Sequence, residues 1–240
     1  MKTQVHEYNG GCDKTSIGYL AAPEEDGLHP GILVVHEAPG RDDHVKRRAE
    51  MLAGLGYVAL AADLYGGGVV GSGPEEAFAL MGPLRKDTDL LRRRVSAGLD
   101  ALAAVPGVDR GRLGAIGYCF GGYSVLELAR TGAPLACVVS FHGLLETRRP
   151  AVAGVIKARI LACTGSADPI VPREQVTAFE KEMMAAGTDW QVVTYGGAKH
   201  AFTNIAADKI PMPGFGYSAT ADSRSWMAMR NLFDEVFGTR

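Results

Sequence analysis

Only four cysteines occur in the 240 residues, Cys12, Cys119, Cys137 and Cys163. They lack the paired spacing of a zinc site, and in a reducing compartment they are expected as thiols. Cys137 and Cys163 lie inside apolar runs and read as buried small hydrophobes. Excess charge of one sign is also missing. Lys and Arg total 25 against 27 Asp and Glu, a net charge of -2, which leaves no electrostatic case for a nucleic-acid partner. No apolar run reaches membrane-spanning length, and the polar stretch from Met1 to Asn9 contains no signal-peptide core. The expectation is a cytoplasmic protein without a membrane partner. No cluster of His, Cys or carboxylates has metal-ligand spacing, so no metal is expected. Gly66-Gly67-Gly68 lacks the Gly-Lys-Ser/Thr ending of a phosphate loop and reads as a flexible connection.

What is present is a globular composition, 47% hydrophobic and 22% charged. No linker interrupts the chain, so one domain over residues 1–240 is expected, with a monomer as the default. Strand-like and helix-like segments alternate from about residue 31. Apolar runs at Gly31 to Val35, Tyr57 to Ala62, Leu113 to Ile116, Leu135 to Phe141, Arg159 to Thr164 and Trp190 to Tyr195 predict strands. Helical spacing of apolar residues appears at Val45, Ala49 and Leu52, ended by Gly54 or Gly56. It recurs at Leu91, Val95, Leu99 and Leu102, closed by Pro106-Gly107, and at Tyr123 to Ala129. Val176, Phe179 and Met183 give another such face, and Trp226, Met229, Phe233 and Val236 the last. Such alternation implies an α/β fold with a mostly parallel sheet covered by helices on both faces. Gln4 to Tyr8 and Thr15 to Leu20 alternate in polarity and predict an antiparallel edge hairpin. The stretch from Thr203 to Thr220 reads as a long loop, either bordering a substrate pocket or merely connecting.

Between the strand ending near Ile116 and the helix from Tyr123 lies Gly117-Tyr118-Cys119-Phe120-Gly121-Gly122. A strand that turns sharply into a helix exposes one side chain at the turn. This is the Gly-x-nucleophile-x-Gly elbow of the α/β-hydrolase fold, in which glycines remove Cβ atoms that would clash. Here the central residue is Cys119, a candidate thiol nucleophile; the alternative is a buried structural thiol.

A thiol nucleophile needs a base, and the base needs an orienting group. In this fold the chain order is nucleophile, acid, histidine, each at the carboxyl end of a strand. Asp168, in Gly165-Ser166-Ala167-Asp168-Pro169, and His200, in Gly196-Gly197-Ala198-Lys199-His200, meet that order. Asp168 could instead be an Asp-Pro turn residue. His36 and His142 also sit at strand ends and could line a pocket, but His142 precedes Asp168, against the order. For an oxyanion hole, the backbone N–H of Phe120 is the expected first donor. The second would come from His36-Glu37-Ala38-Pro39-Gly40; Pro39 has no N–H, which points to Ala38. The helix opening at Phe120 would add its dipole.

At these motifs the chain resembles the dienelactone hydrolase family. The match includes Gly-Tyr-Cys-Phe-Gly-Gly at 117–122, His-Glu at 36–37, Gly-Ser-Ala-Asp at 165–168 and His-Ala-Phe at 200–202, within a resemblance running from about residue 15 to the C-terminus. It implies an α/β-hydrolase that cleaves small esters or lactones without a cofactor. Cys119 would attack the carbonyl, His200 would shuttle the proton and Asp168 would orient the ring, through an acyl-thioenzyme. It also implies that Glu37 contacts the cysteine in the resting enzyme and helps to activate it. On the residues alone, Glu37 could be a solvated loop residue.

The resemblance further implies an arginine four residues after the catalytic histidine, binding a substrate carboxylate. This chain has Asn204 there. An amide cannot supply the charged, bidentate contact of a guanidinium. Arg85 could compensate, although a surface helix arginine is the blander reading, and Arg92-Arg93-Arg94 reads as a solvated helix face. Two further readings stand beside the esterase: a thioester or small-peptide hydrolase on the same fold, and a non-catalytic hydrolase-like binding protein. An apparently complete triad argues against the last.

Overall fold

The computed structural model describes residues 1–238. Eight strands hydrogen-bond in the order β1-β2-β4-β3-β5-β6-β7-β8. The chain divides into two compact units, Met1–Ile116 and Gly117–Arg240.

In the first unit, β1 (Lys2–Tyr8) and β2 (Ser16–Ala22) form the expected antiparallel hairpin, from Lys2 opposite Ala22 to Tyr8 opposite Ser16. β3 (His29–Val35) and β4 (Val58–Ala61) are parallel, Leu33 opposite Leu60, and β2 joins β4 antiparallel. From Pro30 to Val35, and along all of β4, every residue is buried. Side chains alternate between the two faces of a strand, so unbroken burial means that both faces are covered. This is why these strands read as continuous apolar runs.

Helix α1 (Asp43–Ala53) packs on β4 and starts at Asp42, whose carboxylate accepts the His44 and Val45 N–H groups. Helix α2 (Pro74–Lys86) has no counterpart among the apolar periodicities. Only Ala77 and Leu84 are buried along its length, too few to mark a face. Asp87 then caps α3 (Thr88–Ala103) through the Leu90 N–H. The expected face of α3, Leu91, Val95, Leu99 and Leu102, is buried against β3 and β4. Strand β5 (Val108–Tyr118) carries the chain from the first unit into the second.

In the second unit, α4 (Phe120–Arg130) is buried throughout and packs on β6 (Cys137–Phe141). β6, β7 (Arg159–Gly165) and β8 (Trp190–Tyr195) are mutually parallel, Val139 opposite Leu161 and Ala162 opposite Val192. Helix α5 (Arg173–Ala186) buries Val176, Phe179 and Met183 as expected and ends at Gly187 in the left-handed region. Helix α6 (Ala219–Phe237) buries Ala221, Ser225, Met229, Phe233 and Phe237. Trp226 and Val236, expected on that face, are only half-buried, because the buried stripe advances four residues at a time. The 203–220 stretch is not all loop: Ala207–Lys209 forms a 3₁₀ turn, and α6 already begins at Ala219. No helix among the described residues is long and apolar enough to cross a membrane.

Candidate active site

One residue, Cys119, separates the end of β5 from the start of α4. Its φ of 51° and ψ of -113° lie where a non-glycine residue is strained, by about 1–3 kcal/mol. Such a conformation persists only where neighbours over-determine it. The Cys119 N–H donates to both the Phe141 carbonyl (3.0 Å) and His142 Nδ1 (3.1 Å), and the Cys119 carbonyl accepts the Tyr123 N–H at 3.2 Å. Two glycines make the turn sterically possible. A Cβ at Gly117 would lie 2.1 Å from the Gly121 carbonyl oxygen, and one at Gly122 would lie 2.8 Å from the Gly143 Cα. The Phe120 amide, first of α4, belongs to the helical turn whose N–H groups have no intrahelical acceptor.

Strands β7 and β8 deliver the other two groups. Asp168 follows β7 and His200 follows β8. His200 Nδ1–H donates to Asp168 Oδ2 at 2.8 Å, and His200 Nε2 lies 3.1 Å from Cys119 Sγ. The other carboxylate oxygen of Asp168 accepts the N–H groups of Ile170 (2.8 Å) and Val171 (3.3 Å), which fixes the plane of the carboxylate. The 203–220 segment holds His200 from outside: its N–H donates to the Gly214 carbonyl, its carbonyl accepts the Gly216 N–H, and Phe215 stands edge-on to the ring at 4.8 Å. Burial disfavours a charged imidazole. Charge on the Cys119 sulfur and the hydrogen bond to Asp168 outweigh that burial and raise the His200 pKa to about 10. The direction of the shift favours a protonated ring beside the sulfur.

His142, itself at a φ of 41°, braces this arrangement. Because Nδ1 accepts the Cys119 N–H, the proton sits on Nε2 and is donated to Thr203 Oγ1 at 2.7 Å. Its ring meets His200 and Phe202 edge-on at 5.4 and 5.1 Å.

The remaining candidates belong to the first unit. Glu37 follows β3 and is 5% exposed, not the solvated loop residue that the motif alone allowed. Ala38 is half-buried, and its carbonyl accepts the Tyr65 hydroxyl at 2.7 Å. Arg85 is half-buried near the C-terminal end of α2.

Three expected pocket residues have hydrogen-bond partners within the protein. His36 Nδ1 meets the Glu37 carbonyl at 2.7 Å and Nε2 meets the Leu64 N–H at 3.3 Å, with the ring fully buried. Both ring nitrogens of His142 are likewise engaged. Asn204 is buried, and its Oδ1 accepts the Ala206 N–H at 2.9 Å in a local turn. The Gly66–Gly68 segment is not a loose connection. All three glycines have left-handed φ, and Asp63 accepts the N–H groups of Gly66 and Gly68 as well as those of Ile17 and Tyr65. Asp63, Tyr65 and Thr203 were not singled out as site residues in the sequence. The usable signal is an Asp three residues before a glycine-rich turn, placed to accept the N–H groups that follow it.

The family model described as "Dienelactone hydrolase family" matches residues 17–237. Among solved structures, a dienelactone hydrolase-like promiscuous phosphotriesterase, P91, from metagenomic libraries superposes with a TM-score of 0.92 and 42% sequence identity, covering 98% of each chain. A Methylorubrum extorquens protein named provisionally as a carboxymethylenebutenolidase is 31% identical, covering 90% of this chain and 75% of its own. A Bradyrhizobium protein named provisionally as a 2-oxo-3-(5-oxofuran-2-ylidene)propanoate lactonase is 29% identical over 79% of each.

Proposed function

The chain belongs to the dienelactone hydrolase family, hydrolases of lactone and ester bonds, and we propose that it cleaves small esters and lactones through an acyl-thioenzyme on Cys119. The observation carrying this reading is the continuous contact from Asp168 through His200 to the sulfur, at 2.8 and 3.1 Å, on a strained elbow. A cationic ring beside the sulfur favours the nucleophilic thiolate. The thiolate attacks the carbonyl carbon, and the carbonyl electrons move to oxygen, where the N–H groups of Phe120 and Ala38 stabilise the charge. Collapse expels the alkoxide, which takes the proton from His200 Nε2. In the second half, His200 accepts a proton from water as water attacks the thioester. The thiolate leaves and the acid is released. A lactone keeps its leaving hydroxyl attached, so one hydroxy acid results. Glu37 is assigned to activation of the resting cysteine, supported by the motif match and by its burial, which sets it apart from a solvated loop residue.

The buried amide at Asn204 favours substrates without a carboxylate at that position. The same observation, with 42% identity to P91, supports a second activity on neutral phosphotriesters. There the thiolate would displace an aryloxide from phosphorus and water would release the phosphodiester. The likeness to provisionally named lactonases keeps lactones in the panel.

The test compares wild type and Cys119→Ala with p-nitrophenyl acetate, following the burst and the intact mass. A burst with an acetyl adduct, absent in the variant, is expected. Equal rates in both proteins would refute the thiol mechanism. Diethyl p-nitrophenyl phosphate with the same pair tests the second activity.

A further inference from the structure

We infer that His36 is a positioning residue: its ring aims the Ala38 N–H by holding the carbonyl at the other end of the same peptide plane. This rests on the proposed function, in which Ala38 is an oxyanion donor. No peptide bond among the described residues is cis. In a trans peptide the carbonyl of one residue and the N–H of the next are coplanar and point in opposite directions. The Ala38 N–H therefore points wherever the Glu37 carbonyl does not. That carbonyl accepts two donors, His36 Nδ1–H at 2.7 Å and the Gly40 N–H at 3.2 Å.

The tautomer follows from the other side of the ring. Nε2 faces the Leu64 N–H, which can only donate, so Nε2 accepts and the proton belongs on Nδ1. Burial depresses the ring's pKa and keeps it neutral, so that Nε2 stays an acceptor. Leu64 is in turn held rigidly. Its neighbour Asp63 accepts four main-chain N–H groups, and the Asp63 main chain bonds the Tyr8 hydroxyl through both its N–H and its carbonyl. Tyr65 tilts its ring on His36 at 4.7 Å and bonds the next carbonyl, that of Ala38. The carbonyl after that, of Pro39, accepts the Gly71 N–H at 2.8 Å. Three consecutive peptide planes are thus fixed, and His36 fixes the one that carries the proposed donor.

The experiment separates steps that need an oxyanion from one that does not. Acylation by p-nitrophenyl acetate passes through a tetrahedral oxyanion; alkylation of Cys119 by iodoacetamide does not. His36→Phe keeps an aromatic ring but gives Glu37 no donor. It should slow the acylation burst by about 10²–10³-fold, the usual effect of losing one oxyanion donor, with alkylation within about twofold of wild type. His36→Asn places an amide donor near the Nδ1 position and should recover at least tenfold of that loss. Acylation unchanged in His36→Phe, or acylation and alkylation falling together in both variants, would overturn the assignment. Tyr65→Phe, which removes one partly exposed hydroxyl, is the milder variant should His36→Phe not fold; a selective loss of acylation there supports the same clamp, and no loss counts against it. Absence of any wild-type burst would instead reject the proposed function.

Discussion

Replacing Asp168 by Asn should lower kcat/KM for p-nitrophenyl acetate by about 10²–10⁴-fold, the range typical of positioned acid–base groups. The structure shows why an isosteric change is so costly. One carboxylate oxygen accepts His200 Nδ1–H at 2.8 Å, and the other accepts the N–H groups of Ile170 and Val171. All three partners donate, and a carboxylate can accept from each. An amide has one accepting end. If its oxygen faces His200, its NH₂ confronts two main-chain N–H groups; if its oxygen faces those, its NH₂ confronts Nδ1 and forces the proton to Nε2, the wrong tautomer for a base. The negative charge that helps to hold the ring cationic is lost in either orientation. The rate of iodoacetamide alkylation of Cys119 at neutral pH reads this directly. In wild type the His200 pKa is raised to about 10, which favours a protonated ring beside the sulfur. In Asp168→Asn the support for that ring charge is lost, and alkylation should be slower than in wild type. An Asp168→Asn enzyme with wild-type burst and alkylation rates would refute this account.

Two further outcomes concern stability. Arg130 is buried, bidentate to Glu182 at 2.9 and 2.8 Å, and bonded to Glu127 and to the Leu145 carbonyl. Arg130→Met should cost about 3–5 kcal/mol in urea unfolding, because two carboxylates lose the cation they face. His44 is buried, and burial, then the charges of Arg48 and Arg47, lower its pKa to about 3. Its unfolded value is near 6.5, so between about pH 6.5 and 3 the unfolded chain binds the extra proton. The stabilisation is complete above 6.5 and is lost as pH falls, by roughly 1 kcal/mol per pH unit, and His44→Gln should flatten that acid limb in denaturant titrations.

The central strands were legible because burial on both faces leaves an unbroken apolar record, as in Ile32 to Val35 and Ile160 to Cys163. The contact of Cys119, Asp168 and His200 was legible for a different reason: each follows a strand, and parallel strands bring their carboxyl ends together. Helix α2 escaped because two buried side chains in thirteen residues make no stripe. The work of His36 and His142 was also hidden. A histidine at a strand end looks the same in sequence whether its nitrogens face a ligand or a main-chain group, and only the convergence of Leu64 with Glu37, or of Cys119 with Thr203, decides between them.

The close approach of Gly122 to Gly143 has an evolutionary consequence. A Cβ at Gly143 would sit 2.7 Å from the Gly122 Cα, so α4 touches the end of β6 through bare main chain. Together with the main-chain acceptor on the Cys119 N–H, this places much of the elbow's geometry in groups that most amino-acid replacements do not alter. Side chains farther out can then vary while the Cys119 sulfur keeps its position. A lineage built this way can trade one substrate for another by ordinary drift at its pocket walls, without having to reinvent the chemistry at each change.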